Sequence, residues 1–275
     1  MDSLNKKKEF YLKQGYYHFK NPSLKLQKIC KRAANTIDRL FIDTDGELKT
    51  WRSSDGRAKH LINPHLKSKF FLEIIKSPEI KKAISKFLEE HKLQNIYCTH
   101  SKISIKEFGE KHEWLLHQDS SYKKMDKPGL TVAVLLDKCC VKNGALEIYP
   151  KSHLKGAIRH SICTKGDNKG QTFIEEPINI KPIYVEGNPG EYVIFTSNTI
   201  HGGGDNLLGG LRSILIFEVA LFKKFAIDTL GNKPIIIKGK NFLPGYYVAL
   251  FIYKIKTNKL IRSIYKRLRK FFNPI

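Results

Sequence analysis

The hydrophobic pattern of the N-terminal third predicts two amphipathic helices separated by a long loop. In segment 23–40 apolar residues recur every three or four positions behind Ser23, which can cap a helix. Segment 77–88 has a similar apolar stripe, and Pro78 suits its first turn. Segment 43–65, between the two, is rich in turn residues and predicts a loop.

The period of the pattern changes at about Ile96. Short runs rich in β-branched and aromatic residues, bounded by Gly, Pro and Asn, replace the helical spacing. The runs are IYCTHSKISI, HEWLLHQ, LTVAVLLD, ALEIYP, PIYVE, EYVIFTS and SILIFEVALF. They predict a mainly β (α+β) fold with a jelly-roll barrel at its centre. We expect an N-terminal helical region over 1–95, the β core over 96–225 and a C-terminal extension over 226–275.

The net charge of +23 matters most for the interpretation of that extension. After Asp228 the chain has eleven Lys and Arg residues and no acidic residue. Segment 255–272 combines these charges with apolar residues at helical spacing, which predicts a basic amphipathic helix packed on the barrel or lying in a membrane interface. The apolar, aromatic run 246–253 would strengthen such an anchor. We therefore expect residues 246–272 to contact an anionic membrane surface, with nucleic acid as the less favoured partner.

The spacing of the cysteines and the hydropathy of the chain indicate the cellular compartment. The five cysteines show no C-x-x-C spacing, which favours a reducing environment. The basic N-terminus has no apolar core of signal-peptide length behind it, and the longest apolar run, 246–253, is too short for a membrane span of about 20 residues. We expect a cytoplasmic protein that can lie against the inner face of the cytoplasmic membrane.

The candidate chemistry lies in the β core. His117 and Asp119 are two residues apart at the end of a predicted strand, so their side chains should point to one side. His201 ends the run EYVIFTSNTIH and precedes three glycines. Two histidines and one carboxylate on one face of a metal are typical of non-haem iron(II) oxygenases. Arg212 begins an apolar strand, where a cation favours a carboxylate partner.

Four ordered motifs resemble the phytanoyl-CoA dioxygenase family of iron(II)- and 2-oxoglutarate-dependent oxygenases. They are LLHQDSSY, NGALEIYPKSHLKG, GEYVIFTSNTIHGGGDN and the arginine that follows. The resemblance implies a double-stranded β-helix, a cupin-like barrel, in which His117, Asp119 and His201 bind Fe(II) and Arg212 anchors 2-oxoglutarate. It also implies that dioxygen (O2) oxidises 2-oxoglutarate to succinate and CO2 while a C–H bond of the substrate is hydroxylated. Asp119 favours hydroxylation, since halogenating relatives have a small residue in its place.

Neighbouring residues receive more ordinary interpretations. Gly203 stands where many family members have a small hydroxyl residue, and LTVAVLLD shows no polar contribution to the oxo-acid pocket. Lys102 and Lys106 could face the cofactor pocket, but they are expected to be simply exposed. We expect His153 to make a hydrogen bond within a loop and Gln118 to point away from the metal. Segment 151–173 is expected to be a disordered substrate loop.

The substrate is expected to be a small molecule or a lipid-linked compound, with a Kdo or lipid A hydroxylase as one enzyme of this kind. A nucleic-acid-directed oxygenase or demethylase is an alternative prompted by the charge. It is disfavoured because the strand after Arg212 lacks a second arginine. A catalytically inactive barrel that binds membranes or nucleic acid is disfavoured because all three candidate ligands and Arg212 are present together.

Overall fold

Two antiparallel sheets and a layer of helices make up the described part of the chain. The computed structural model describes residues 3–42, 50–52, 56, 58–88, 96–109, 114–122, 129–221 and 235–238. The helices are α1 (Ser3–Gln14), α2 (Leu24–Ala34), α3 (Ile37–Ile42), α4 (Lys69–Ile75) and α5 (Pro78–Phe87). The strands are β1 (Tyr16–Phe19), β2 (Thr50–Arg52), β3 (Ala58–Ile62), β4 (Ile96–Lys106), β5 (Trp114–His117), β6 (Leu130–Leu135), β7 (Leu146–Ile148), β8 (Ser161–Ile162), β9 (Thr172–Phe173), β10 (Ile183–Val185), β11 (Tyr192–Thr196), β12 (His201–Gly203), β13 (Arg212–Leu221) and β14 (Ile235–Lys238).

The larger sheet has the strand order β1-β11-β6-β13-β4-β3-β2, and β14 pairs with β4. The smaller sheet has the order β10-β7-β12-β5, while β8 and β9 form a separate hairpin. Neighbouring strands run antiparallel in both sheets. The mainly β, jelly-roll prediction is therefore confirmed.

Side-chain alternation along β13 shows how the layers are arranged. Phe217 and Val219 face a core that also contains residues of α2, α4 and α5. Ile214 and Ile216 face the opposite way, into a second core shared with β7 and β10 of the smaller sheet. Successive residues of a strand point to opposite faces, so both faces of the larger sheet are buried. Arg212 has the same parity as Ile214 and therefore faces the space between the sheets.

The region 1–95 contributes strands as well as helices. Strand β1 pairs with β11, and β2 and β3 extend the larger sheet beyond β4, so the predicted loop over 43–65 is wrong in part. The sequence of β3 is Ala-Lys-His-Leu-Ile, which does not alternate polar and apolar residues, although Lys59, His60 and Leu61 are all buried. Without that alternation, and with turn residues on both sides, the strand had no clear sequence signal. The proposed boundaries at 95 and 225 stay a prediction.

The expected helix over 23–40 is interrupted near its end. Ser23 caps α2 as predicted, because its side chain accepts a hydrogen bond from the Leu26 amide at 3.2 Å. The Thr36 hydroxyl then donates to the Ala33 carbonyl at 2.7 Å, and α3 begins at the next residue. A side chain that bonds to a nearby carbonyl competes with the helical ladder, which explains the break.

The predicted basic helix over 255–272 and the apolar run 246–253 before it lie outside the described residues. Within the C-terminal extension the structure describes β14, whose pairing with β4 continues the larger sheet. No helix in the described ranges combines the length and the apolar character needed to cross a membrane.

Replacing Phe217 with alanine should lower the free energy of unfolding by about 3–5 kcal/mol, because the cavity opens in a closely packed core. Phe217 is 0% exposed, whereas Phe108 is 62% exposed. The matched control Phe108→Ala should therefore change the same quantity by about 0.5 kcal/mol or less. Urea denaturation followed by circular dichroism measures both, and equal losses would contradict the described packing of β13.

Candidate metal centre

Three potential metal ligands come together on the smaller sheet. His117 is the last residue of β5, His201 is the first residue of β12, and the two lie directly opposite each other in the antiparallel register. Asp119 begins the short 3-10 helix that follows β5. The sequence prediction that these residues converge is therefore matched by their positions in the fold.

The ligand atoms lie close enough to share one ion. Asp119 Oδ1 is 3.8 Å from His117 Nε2 and 3.6 Å from His201 Nε2. One ligand atom from each residue lies within 4.8 Å of the others, and among the described residues this is the group found to have such an arrangement. The histidines are 2% and 6% exposed, so the three groups face a largely water-free interior.

Main-chain hydrogen bonds hold both imidazoles in one orientation. His117 Nδ1 lies 2.7 Å from the Leu115 carbonyl oxygen, and His201 Nδ1 lies 3.0 Å from that of Thr199. A carbonyl oxygen can only accept, so each Nδ1 carries the hydrogen and each Nε2 keeps its lone pair toward Asp119. Metal-binding histidines commonly have this second hydrogen bond, which fixes the ring and its tautomer. The residues present thus fit a divalent cation.

The electrostatic surroundings favour the metal-binding protonation states. Burial and, to a lesser extent, the nearby His201 lower the pKa of His117 to about 3, against the opposing effect of Asp119. Burial by itself would raise the pKa of Asp119, but His201, His117 and a hydrogen bond from Thr131 together lower it. At neutral pH His117 is therefore a neutral imidazole and Asp119 a carboxylate, as a metal site requires.

Cations from the larger sheet line a cavity beside Asp119 and His201. Lys102, Lys106 and Arg212 share its wall with Asp119 and His201. Arg212 lies opposite Lys106 in the register of β13 and β4, and the two are 3% and 4% exposed. Like charges placed directly opposite each other on neighbouring strands are unfavourable. A bound anion would relieve that repulsion.

Lys106 differs from its predicted exposed position. Its Nζ donates to the Gly203 carbonyl at 3.1 Å and also to the Gly204 carbonyl, so it joins β4 to the end of β12. Lys102 is partly buried, and its Nζ lies 5.2 Å from the centre of the Trp114 ring. The alternation of β4 explains both positions, since Lys102 and Lys106 have the same parity and face the space between the sheets.

Thr131 is the functional residue that sequence reasoning missed. It lies on β6, in the run LTVAVLLD that was expected to supply no polar contact, and its Oγ1 donates to Asp119 Oδ2 at 2.5 Å. A hydroxyl at a fully buried position, within an otherwise apolar run, was the available signal. It acts on the carboxylate ligand, and the described contacts do not assign it to the oxo-acid pocket.

Other predictions near the site have mixed outcomes. His153 makes a hydrogen bond as predicted, but not within a loop. It lies in the 3-10 turn Ser152–Lys155, and its Nε2 donates to the Leu12 carbonyl of α1 at 3.0 Å. The side chain of Gln118 donates to the Gly156 and Asn198 carbonyls and so points away from the candidate ligands, also as predicted. Segment 151–173 is not disordered, because it contains a 3-10 turn and the β8–β9 hairpin. Its glycine-rich composition concealed this local structure, which contacts outside the segment stabilise.

Comparisons with known proteins agree with the fold and the chemistry of the site. The family model for phytanoyl-CoA dioxygenase (PhyH) matches residues 11–214. A probable alpha-ketoglutarate-dependent hypophosphite dioxygenase of Stutzerimonas stutzeri is 26% identical over 212 residues, which are 71% of this chain and 70% of that protein. Alpha-ketoglutarate is another name for 2-oxoglutarate.

Solved structures of related architecture include two named enzymes. The non-heme alpha ketoglutarate dependent epimerase SnoN from nogalamycin biosynthesis has a TM-score of 0.61 at 18% identity, covering 79% of this chain and 82% of its own. EctD from S. alaskensis with bound Fe has a TM-score of 0.63 at 14% identity, covering 83% and 79% respectively. At these identities the likeness establishes the fold alone, and it confirms the cupin-like barrel.

Replacing Thr131 with valine should weaken Mn(II) binding about tenfold, in the range typical of groups that orient metal ligands. The change keeps the shape of the side chain but removes a hydrogen bond that lowers the pKa of Asp119. A higher pKa means that protons compete better for the carboxylate, so the loss should grow as the pH falls.

Electron paramagnetic resonance of free Mn(II) measures this affinity. The matched control is Thr36→Val, which removes a hydroxyl that donates to the Ala33 carbonyl in the helical region. Equal affinities for the two variants would contradict a role of Thr131 at the metal.

Proposed function

Because the chain belongs to the phytanoyl-CoA dioxygenase family, we propose that His117, Asp119 and His201 hold its iron and that Arg212 binds its co-substrate. The protein is a non-haem dioxygenase that depends on Fe(II) and 2-oxoglutarate. The single observation that carries the residue assignment is the convergence of three ligand atoms within 4.8 Å. Two of these residues, Asp119 and His201, line the same cavity as Arg212, which lies on the opposite sheet.

Each residue has a definite part in this proposal. Two neutral imidazoles and one carboxylate would hold a divalent ion and leave other positions open for exchangeable ligands. The guanidinium of Arg212 would donate two hydrogen bonds to the far carboxylate of 2-oxoglutarate, which orients the oxo acid toward the ligands. When bound, the iron supplies the activation of dioxygen. Apolar side chains such as Phe195 and Ile214 line the same cavity and would exclude water.

The carboxylate of Asp119 supports hydroxylation as the outcome. A small residue at this position would leave room for a halide, whereas Asp119 fills it with a carboxylate whose Oδ1 lies within 3.8 Å of the Nε2 atoms of both histidines. We therefore propose that the enzyme hydroxylates a C–H bond of an organic substrate.

An anionic group on the substrate is favoured by the cavity wall. The described lining residues include three cations, Lys102, Lys106 and Arg212, and one carboxylate, Asp119. A divalent ion would add to the positive side, and one 2-oxoglutarate dianion would offset only part of the excess. The relative named as a hypophosphite dioxygenase acts, by its name, on a small anion. A negatively charged small molecule or head group is accordingly the substrate class that we propose.

A lipid-linked form of that anion is the finer proposal. Residues 246–272 are basic and contain apolar residues at helical spacing, which suits adsorption to an anionic bilayer. An acidic glycolipid such as the Kdo region of lipid A would place its negative charges at such a surface. This proposal rests on sequence that lies outside the described residues.

Iron-dependent turnover tests the residue assignment directly. Anaerobically loaded Fe(II) and 2-oxoglutarate should yield succinate when air is admitted to the wild-type protein, even without substrate. His117→Ala should reduce succinate release to the background, because the iron loses one of three ligands.

His153→Ala is the control and should retain turnover, because that histidine hydrogen-bonds to the Leu12 carbonyl of α1 and is not one of the three candidate ligands. A folded wild-type protein with no iron-dependent 2-oxoglutarate binding or turnover would refute the proposal.

Truncation after Lys240 tests the membrane proposal while preserving β14. Vesicles with anionic phospholipid should sediment the full chain, and the truncated chain should remain in the supernatant. Each Lys or Arg near such a surface contributes about 1 kcal/mol, so high salt should also release the full chain. Unchanged co-sedimentation after truncation would rule out residues 246–272 as the anchor.

A further inference from the structure

Gln118 stands between two candidate ligands and is 0% exposed. We infer that Gln118 is a positioning residue. It holds the segment bearing His117 and Asp119 at a fixed distance from the turn that leads to His201, and it links both to segment 156–160. This inference rests on the proposed metal site, but it concerns a side chain that faces away from the metal cavity. Alternation along the chain turns Gln118 away from the direction of His117 and Asp119, so it would act through them and not as a ligand.

The amide of Gln118 makes three hydrogen bonds in the interior. Its Nε2 donates to the Gly156 carbonyl at 2.8 Å and to the Asn198 carbonyl at 2.6 Å. Its Oε1 accepts from the Ile158 amide at 2.8 Å. Both N–H donors and the carbonyl oxygen of the Gln118 side chain are therefore hydrogen-bonded, each to the main chain of a residue distant in sequence.

The Asn198 contact joins the two halves of the metal centre. Asn198 lies three residues before His201, in the turn between β11 and β12. A second bond in the same place runs from the Ser120 amide to the Ser197 carbonyl at 3.0 Å. These bonds lie on either side of Asp119 in sequence, so the segment bearing His117 and Asp119 is held against the turn that leads to His201.

The contacts with segment 156–160 extend this bridge to a third element. In addition to the two side-chain hydrogen bonds, the main-chain N–H of Gln118 donates to His160 Nε2 at 3.0 Å. His160 Nδ1 lies 2.7 Å from the Ile158 carbonyl, which fixes the tautomer that accepts at Nε2. Further along, Ser121 and Thr172 share a hydroxyl hydrogen bond of 2.7 Å. Segment 156–172 is therefore bound to the ligand-bearing turn at both ends.

Only a side chain of this length with donors and an acceptor can make all three bonds. Methionine has similar length but would leave two carbonyl oxygens and one amide of the interior without their partner, which is unfavourable for each group. Groups that orient metal ligands typically change metal affinity by about 10- to 100-fold when they are removed. A purely structural role would instead lower stability and leave the metal geometry unchanged.

Co(II) binding to the metal-free full-length chain separates these roles, because the d–d absorption of Co(II) reports the arrangement of its ligands. Gln118→Met should bind Co(II) about 10- to 100-fold more weakly than the wild type, with a changed d–d spectrum. The matched control Gln27→Met removes an amide that donates to the Pro22 carbonyl at 2.9 Å and should keep both properties. Wild-type affinity and an unchanged spectrum in Gln118→Met would overturn the inference, even if that variant were less stable.

Hydrogen exchange at the Ile158 amide supplies a readout that needs no metal. The Ile158 amide hydrogen should exchange slowly in the wild type and faster in Gln118→Met. Exchange in the wild type at the rate of an unprotected amide would also overturn the inference. If Gln118→Met does not fold, Gln118→Glu replaces only the donor group, and the same Co(II) result is expected of it. A wild type that fails to bind Co(II) would refute the proposed metal site, while exchange at Ile158 would still test the bridge.

Discussion

The direct pairing of His201 with His117 across β12 and β5 is the constraint on which the rest of the site depends. Side chains alternate along a strand, so a slip of one residue would turn a histidine away from the cavity. Gly202 shows how tightly the pairing is set, because a Cβ there would come within 2.6 Å of the Trp114 carbonyl oxygen. A glycine is therefore required beside His201 for β12 to approach β5, and Asp119 then reaches both imidazoles.

The larger sheet supplies the complementary half of the site. Its interior face brings Arg212 and Lys106 opposite each other, and the cost of that arrangement is tolerable only where negative charge is near. Lys106 satisfies its donors on the carbonyls after β12, so it also links the two sheets across the cavity. The helices on the other face of the sheet take no part in this chemistry, but they bury the apolar side chains that hold β13 and β4 in register.

The sequence predicted the strands of the β core because those runs are rich in β-branched and aromatic residues and bounded by clear turn residues. It also predicted the convergence of the three ligands, since they occur at strand ends. It did not predict β1, β2 and β3, which are short and flanked by polar turns, or the burial of Lys106, which depends on its register against Arg212. The contact between Thr131 and Asp119 joins two segments through tertiary structure, and no local pattern could place the hydroxyl there.

We propose that one iron ion binds between His117, Asp119 and His201, with 2-oxoglutarate held toward Arg212. Crystals grown anaerobically with Fe(II) and 2-oxoglutarate, measured at the iron absorption edge, test it most directly. We predict one strong anomalous peak about 2.0–2.2 Å from each ligand atom, and the far carboxylate of 2-oxoglutarate on Arg212. An iron peak elsewhere, or none at these residues in a fully loaded crystal, would refute the assignment of His117, Asp119 and His201 as the iron ligands.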